Sequence, residues 1–279
     1  MMVHLVARAR PGRFPLSDPD RADWLWKALR RAFPEALGVT LMPNHVHVVL
    51  DPDDPDTAAL RLARVLSAFS KVFKLGELWS SVPAPQPIAD VDKLRRQLRY
   101  LALNPCRPWG RGEDPLVTDP LQWPWSTHRD VMGAIAPPWV SAERLAAALG
   151  NRRQVEYFRN EHHRYVSGDP SVSVRGTEPP RPAPPRRTAL VPLAEVASAA
   201  LAATRAPESA LRNRGRTRDL FLCMARHQAW TDIEQLASAC GCSRWTVYRA
   251  WDREDPPLLA AGLLCLGDPR LRWRPIRGR

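Results

Sequence analysis

Leu41-Met42-Pro43-Asn44-His45-Val46-His47-Val48-Val49-Leu50 is the stretch that decides how the rest of the chain is read. Apolar and β-branched residues follow the Pro43-Asn44 break directly, which predicts a β-strand entered through a turn. Side chains two apart on a strand share a face, so His45, His47 and Val49 point one way and Val46, Val48 and Leu50 the other. Two imidazoles held side by side on a rigid strand form half of a divalent-metal site. A zinc-hydrolase arrangement is disfavoured, because Val49 stands where a third ligand on that face would be needed.

The surrounding sequence adds two further blocks in order, Arg99-Tyr100-Leu101-Ala102-Leu103-Asn104-Pro105-Cys106-Arg107 and Trp123-Pro124-Trp125-Ser126-Thr127-His128-Arg129-Asp130-Val131-Met132-Gly133. Together with LMPNHVHVVL they resemble the REP-associated tyrosine transposases, a branch of the HUH single-tyrosine transposases, over roughly residues 1–165. That resemblance implies an α+β fold around an antiparallel, ferredoxin-like sheet. It also implies cleavage of single-stranded hairpin DNA through a covalent 5′-phosphotyrosine, with Mg²⁺ or Mn²⁺ as cofactor. Tyr100 is then the nucleophile, and Asn104 completes a metal shell begun by His45 and His47.

The helical pattern around Asp90–Leu103 supports this placement. Val91, Leu94, Leu98 and Leu101 make an apolar stripe, and Tyr100 falls about 140° from its centre at 100° per residue. Tyr100 is therefore not set like a core aromatic. Asn104 lies four residues on, near the same face, and Lys93, Arg96 and Gln97 share that side. In such a site a phenol attacks phosphorus and a sugar 3′ hydroxyl leaves, and the metal with Arg96 or Lys93 supplies the positive charge a phenolate needs.

The sequence departs from its look-alikes at Gly76-Glu77-Leu78-Trp79-Ser80-Ser81-Val82-Pro83, where Ser80 and Val82 replace the glutamine and arginine usual there. This leaves a second reading open, a DNA-binding regulator or domesticated host protein that keeps the fold and no longer cuts. A third is a nuclease that nicks for another pathway.

Elsewhere the first part reads as alternating strands and helices. Val3 to Ala9 alternates as a strand, and Asp18 with Ser17 offers an N-cap before a helical stripe of Trp24, Leu25, Ala28, Leu29 and Ala32. Asp51 to Asp56 is a Pro-broken acidic loop read as solvated, after which Thr57 can cap a helix reaching Phe73. Trp123 and Trp125 could stack on unpaired bases, but stapling the chain onto the sheet is the better reading. Trp139–Leu149 and Arg152–Val166 read as closing helices, with His162-His163 on a solvated face among charges.

Composition changes from Gly168 to Pro192, where seven prolines alternate with Arg, Ser and Thr. This marks a linker (168–192) between a first domain (1–167) and a second (193–279). The chain carries a net +12 at pI about 10.3, favouring a polyanionic partner. Residues 171–279 hold 18 Lys+Arg against 10 Asp+Glu, whereas residues 1–170 hold 23 against 19, so the second part is the more basic.

The run from Pro192 to Trp251 has a cap at Thr231, apolar Ile233, Leu236 and Ala237, a turn at Gly241-Cys242 and a further helix from Ser243. It resembles the C-terminal duplex-DNA-binding helix-turn-helix domain of the replication initiator DnaA over about residues 193–252. The resemblance puts Ser243, Arg244, Trp245, Thr246 and Arg249 near base edges and Arg214, Arg216 and Arg218 near phosphates. Ser243-Arg244-Trp245-Thr246 differs from the D-H-S-T usual there, so a DnaA-type target is not implied.

Five cysteines without paired Cys-x-x-Cys knuckles suggest reduced thiols, and Cys240-Gly241-Cys242 suggests turn packing. No apolar run is long enough to span a bilayer and no signal-peptide pattern opens the chain. The expectation is a cytoplasmic, nucleoid-associated protein, monomer or homodimer, with no membrane partner.

Overall fold

A computed structural model describes residues 1–80, 84–108, 114–185 and 191–272, which divide into two compact units. The first comprises Met1–Val131 and Trp139–Thr177; the second comprises Met132–Pro138 and the described residues from Glu178 onward.

In the first unit a four-stranded antiparallel sheet has the order β2-β3-β1-β4. Its strands are β1 (Val3–Arg8), β2 (Gly38–Met42), β3 (His45–Leu50) and the two-residue β4 (Gln86–Pro87). β2 and β3 form a hairpin through Pro43-Asn44, with Met42 opposite His45 and Thr40 opposite His47. β1 pairs on the other side of β3, with Val6 opposite His47 and Arg8 opposite His45. One face of the sheet therefore carries His4, Val6, Arg8, His45, His47, Thr40 and Gly38. The other carries Val3, Leu5, Ala7, Val39, Leu41, Val46, Val48 and Leu50, all buried.

The helices of this unit follow from their caps. Asp18 caps α1 (Pro19–Ala32) through the backbone of Asp20 and Arg21, with Pro19 at its first position. In α2 (Pro55–Val72) the cap is Asp54, which accepts from Asp56 and Thr57. Thr57 thus sits three residues inside the helix rather than at its cap, because the carboxylate two residues after Pro52 reaches the free backbone N–H groups first. Asp90 caps α3 (Val91–Leu103) through Lys93 N at 2.6 Å, and Pro105 follows its end. Leu94, Leu98 and Leu101 are buried, whereas Val91 is exposed in the first turn and does not extend the stripe.

α3 crosses the histidine face over β2, and Gly38 is what lets it approach. A Cβ at that position would lie 2.6 Å from Leu98 Cδ2, and the Thr40 hydroxyl donates to Leu101 O at 3.1 Å. The free edge of β2 is bound by residues 125–127: Leu41 N donates to Trp125 O and Thr127 N to Val39 O. Trp123 and Trp125 are buried, and Trp123 Nε1 donates to Leu41 O, the stapling role expected of them.

α4 (His128–Val131), α5 (Ala142–Ala148) and α6 (Val155–Ser167) close this unit. His162 and His163 are buried, not solvated: Phe158, His162 and Val166 share the inward stripe of α6, and the charged Glu161 and Arg164 lie off it. Residues after α6 are also anchored, since Asp169 pairs with Arg99 at 3.2 Å and Val172 and Val174 pack against Ala102, Leu103, Cys106 and Val166.

The second unit is helical: α7 (Leu193–Thr204), α8 (Arg216–His227), α9 (Ile233–Cys240), α10 (Arg244–Trp251) and α11 (Pro256–Gly267). Asp232 caps α9 through Gln235 N, in place of the expected Thr231. Gly241, at φ +59°, ends α9 in the left-handed conformation, and Ser243 caps α10 two residues later. None of the five cysteines forms a disulfide, four of them are buried, and Cys240 ends α9 against the core of the unit. Among the described residues no helix is long and apolar enough to cross a membrane.

Candidate active site

On the histidine face, β3 supplies two imidazoles and the end of α3 supplies an amide. Asn104 Nδ2 lies 2.8 Å from His47 Nε2 and 3.2 Å from His45 Nε2. The fold brings these three groups together because β3 and α3 cross where Gly38 permits contact, and Asn104 is the first residue past α3. Tyr100, one turn earlier, is half-buried, with its ring perpendicular to that of His47 at 5.7 Å between centroids.

The histidines are held neutral. Burial pulls His45 down to about 4, with the Arg8 guanidinium adding to the effect. His47, 1% exposed, is held well below the usual imidazole range by burial and then by the neighbouring His45, His4 and Arg8. Near neutral pH each therefore offers a nitrogen lone pair.

Other groups converge that the sequence did not single out. His4, on β1, is buried and lies 2.9 Å from His47 Nδ1 through its own Nε2. Its Nδ1 is 3.2 Å from Gln86 Oε1 on β4, and burial lowers its pKa to about 4. Arg8 is exposed on the same face, opposite His45. The guanidinium over the Tyr100 ring belongs to Arg107, 5.5 Å from the centroid, which also pairs with Asp169 at 3.8 Å. A local cue existed for each: His4 and Arg8 alternate with apolar residues on one strand face, and Arg107 follows Pro105 by two. The partners, however, are set by pairing across the sheet.

Lys93 and Arg96, expected beside Tyr100, are both exposed. Lys93 Nζ donates to Pro87 O at 2.9 Å, back toward the start of α3, because two helical turns separate it from Tyr100. Arg96 is one turn from Tyr100.

Two imidazole nitrogens suit a divalent transition ion, and the side-chain amide adds an oxygen ligand when it presents that atom. Rotating that amide by half a turn exchanges its nitrogen and oxygen. No three His, Cys, Asp or Glu side chains among the described residues form a metal-holding group, so any ion here relies on the amide and on non-protein ligands.

In the second unit Arg244, Trp245 and Arg249 are exposed on α10, Trp245 at 75%. Trp245, Tyr248 and Trp251 follow one another with ring centroids 6.2 and 5.9 Å apart. Ser243 and Thr246 are engaged in the cap: the Ser243 hydroxyl accepts from Thr246 N, and the two hydroxyls are 3.1 Å apart. Arg244 pairs with Glu234. Arg214 and Arg216 are exposed, Arg216 lying 3.5 Å from Asp255. Arg218 is buried and so is not placed to meet a phosphate; it falls on the inward stripe of α8 with Leu222, four residues on.

No family model matches the chain, and no curated protein does. A solved structure described as a REP-associated tyrosine transposase bound to a REP hairpin is 23% identical over 47% of this chain and 78% of that one, with a TM-score of 0.39. At that level of likeness the functional reading of this chain rests on its own residues.

Proposed function

We propose that the first unit is a metal-dependent single-stranded DNA endonuclease and strand transferase of the tyrosine-transposase kind, acting at hairpin-forming DNA. The observation that carries this reading is the convergence of His45 Nε2, His47 Nε2 and the Asn104 amide next to the half-buried ring of Tyr100. Of the two ions expected, Mg²⁺ and Mn²⁺, the second takes two neutral imidazoles and an amide oxygen more readily, and such an ion would polarise a phosphate oxygen.

The roles of the chain's own groups follow. The Tyr100 phenol attacks phosphorus and forms the P–O bond of a 5′-phosphotyrosine; the bond to the 3′ oxygen breaks, and that oxygen leaves as a hydroxyl once protonated. Arg107, over the Tyr100 ring, stabilises negative charge as the phenol loses its proton. Arg8, exposed on the same sheet face, is proposed as a contact to the phosphate backbone. Attack by the released 3′ hydroxyl of a second strand regenerates the tyrosine and joins the DNA.

The second unit is proposed as a helix-turn-helix module for duplex DNA, with α10 as the reading helix and Arg244, Trp245 and Arg249 as its exposed groups. Ser243 and Thr246 serve its cap, and Arg214 and Arg216 remain as phosphate contacts. A tether of this kind raises the effective concentration of the nuclease near its substrate.

The test is Tyr100→Phe on a hairpin-bearing single strand with Mn²⁺. Cleavage falling by at least about a thousandfold with hairpin affinity unchanged supports the reading. Equal cleavage by the variant ends it, and tight binding without cleavage by the wild type favours the non-cutting regulator.

A further inference from the structure

A chain of side chains crosses three adjacent strands and ends at Asn104. Gln86 on β4 lies opposite His4 on β1, and His4 lies diagonally across from His47 on β3. The contacts are Gln86 Oε1 to His4 Nδ1 at 3.2 Å, His4 Nε2 to His47 Nδ1 at 2.9 Å, and His47 Nε2 to Asn104 Nδ2 at 2.8 Å. A neutral imidazole has one N–H and one lone pair, so fixing either nitrogen fixes the other. Gln86 presents an oxygen, which calls for Nδ1–H on His4 and leaves its Nε2 as an acceptor. That acceptor calls for Nδ1–H on His47, which directs the His47 Nε2 lone pair at Asn104.

His45 reaches the same state separately, since its Nδ1 is 2.6 Å from Asn44 Oδ1. The two hydrogens of the Asn104 amide then serve the two Nε2 lone pairs. Three amides on three different elements present the group that one pair of tautomers requires.

We propose that His4 is a positioning residue: by accepting a hydrogen bond from His47 Nδ1–H it holds the His47 tautomer whose Nε2 lone pair faces Asn104. Its value to a metal rests on the reading above, in which His45 and His47 are ligands; the tautomer itself does not. Groups that orient a metal-bound imidazole through its second nitrogen typically change metal affinity by about 10- to 100-fold when removed.

The experiment uses the full chain and three proteins: wild type, His4→Phe, which fills the space without an acceptor, and His4→Gln, whose amide oxygen reaches the position of Nε2. Circular dichroism first establishes that each is folded. Long-range ¹⁵N–¹H correlation spectra of the metal-free proteins identify the His47 tautomer, and Mn²⁺ titration gives affinity. The expected result is Nδ1–H on His47 in wild type and His4→Gln and a shift toward Nε2–H in His4→Phe. Mn²⁺ affinity is expected to fall about 10- to 100-fold in His4→Phe and to return to within about threefold of wild type in His4→Gln. An Nε2–H spectrum for wild-type His47, or the same tautomer in wild type and His4→Phe, overturns the proposal. Wild-type protein that shows the expected tautomers but takes up no Mn²⁺ sinks the metal reading and leaves the role of His4 standing.

Discussion

The first unit buries two groups of three histidines, and their surroundings differ. His4, His45 and His47 sit on one sheet face, with two of their Nε2 atoms turned to an amide beside a half-buried tyrosine. His128, His162 and His163 sit between α4 and α6 and are closed in by their own neighbours. His128 Nε2 is 3.2 Å from His163 Nδ1, His163 Nε2 is 3.2 Å from the Ser167 hydroxyl, and His162 lies flat against Phe158 at 5.7 Å. Both groups are buried, and burial holds both His45 and His162 down to about 4. Burial and lowered basicity therefore do not distinguish a candidate site from a core cluster. The direction of the nitrogens does.

The largest test of that distinction exchanges the two groups. His47→Ala is expected to lower Mn²⁺ affinity by at least about a hundredfold, whereas His163→Ala leaves it within about threefold and instead costs about 2 kcal/mol of stability through a cavity and lost hydrogen bonds. Calorimetric titration and denaturant unfolding read both; matched losses of metal affinity in the two variants would erase the comparison.

Acid should affect both groups alike. His4, His45 and His162 have folded pKa values near 4 against 6.5 when unfolded, so the unfolded chain binds more protons between those limits. Stability from these residues is thus complete above about pH 6.5, falls as pH drops toward 4, and falls no further below that. Each contributes a loss on the order of 3 kcal/mol. Unfolding measured across this window should show a steep histidine-linked decline, and Mn²⁺ should raise the whole curve and carry the decline below pH 4 through the first group alone, because a metal-bound imidazole resists protonation. A flat profile between pH 6.5 and 4 would contradict the burial of neutral imidazoles in both.

Trp245→Ala, on an exposed side chain of the second unit, should lower duplex-DNA affinity about tenfold while leaving Mn²⁺ binding and both histidine groups untouched. Electrophoretic shift and metal titration on one preparation separate the two activities, and unchanged duplex binding removes α10 as the reading helix. A smaller effect is expected of Gly38→Ala. Its methyl group would displace Leu98, costing about 1 kcal/mol and moving α3 off the sheet, so Mn²⁺ affinity should drop with stability, unlike in His163→Ala. Loss of stability with full metal affinity would show that α3 is not held to the site at this glycine.

The sequence made the histidine strand legible because alternation on a strand needs no distant information: His45 and His47 share a face wherever β3 goes. The helical phase of α3 likewise placed Tyr100 and Asn104 on one side. Three things were not local. His4 acquires meaning only from a partner 43 residues away, and Arg107 only from the path of the chain after Pro105. His162 and His163 were misread because charged neighbours at Glu161 and Arg164 masked an inward stripe set by Phe158 and Val166. Arg218, expected near phosphates, is buried for a related reason, since its phase on α8 puts it on the side of Leu222, four residues on. The substitutions expected to matter for DNA contact around Ser80 fall partly on residues 81–83, outside the described residues.

The central claim is that Tyr100 becomes covalently joined to DNA at the His45–His47–Asn104 site. The most direct measurement is to incubate the protein with end-labelled, hairpin-bearing single-stranded DNA and Mn²⁺, denature it, and map any adduct by mass spectrometry. The account requires a denaturant-resistant adduct on Tyr100 that disappears with EDTA and in His47→Ala. An adduct on another residue, or one formed equally in EDTA, would contradict it.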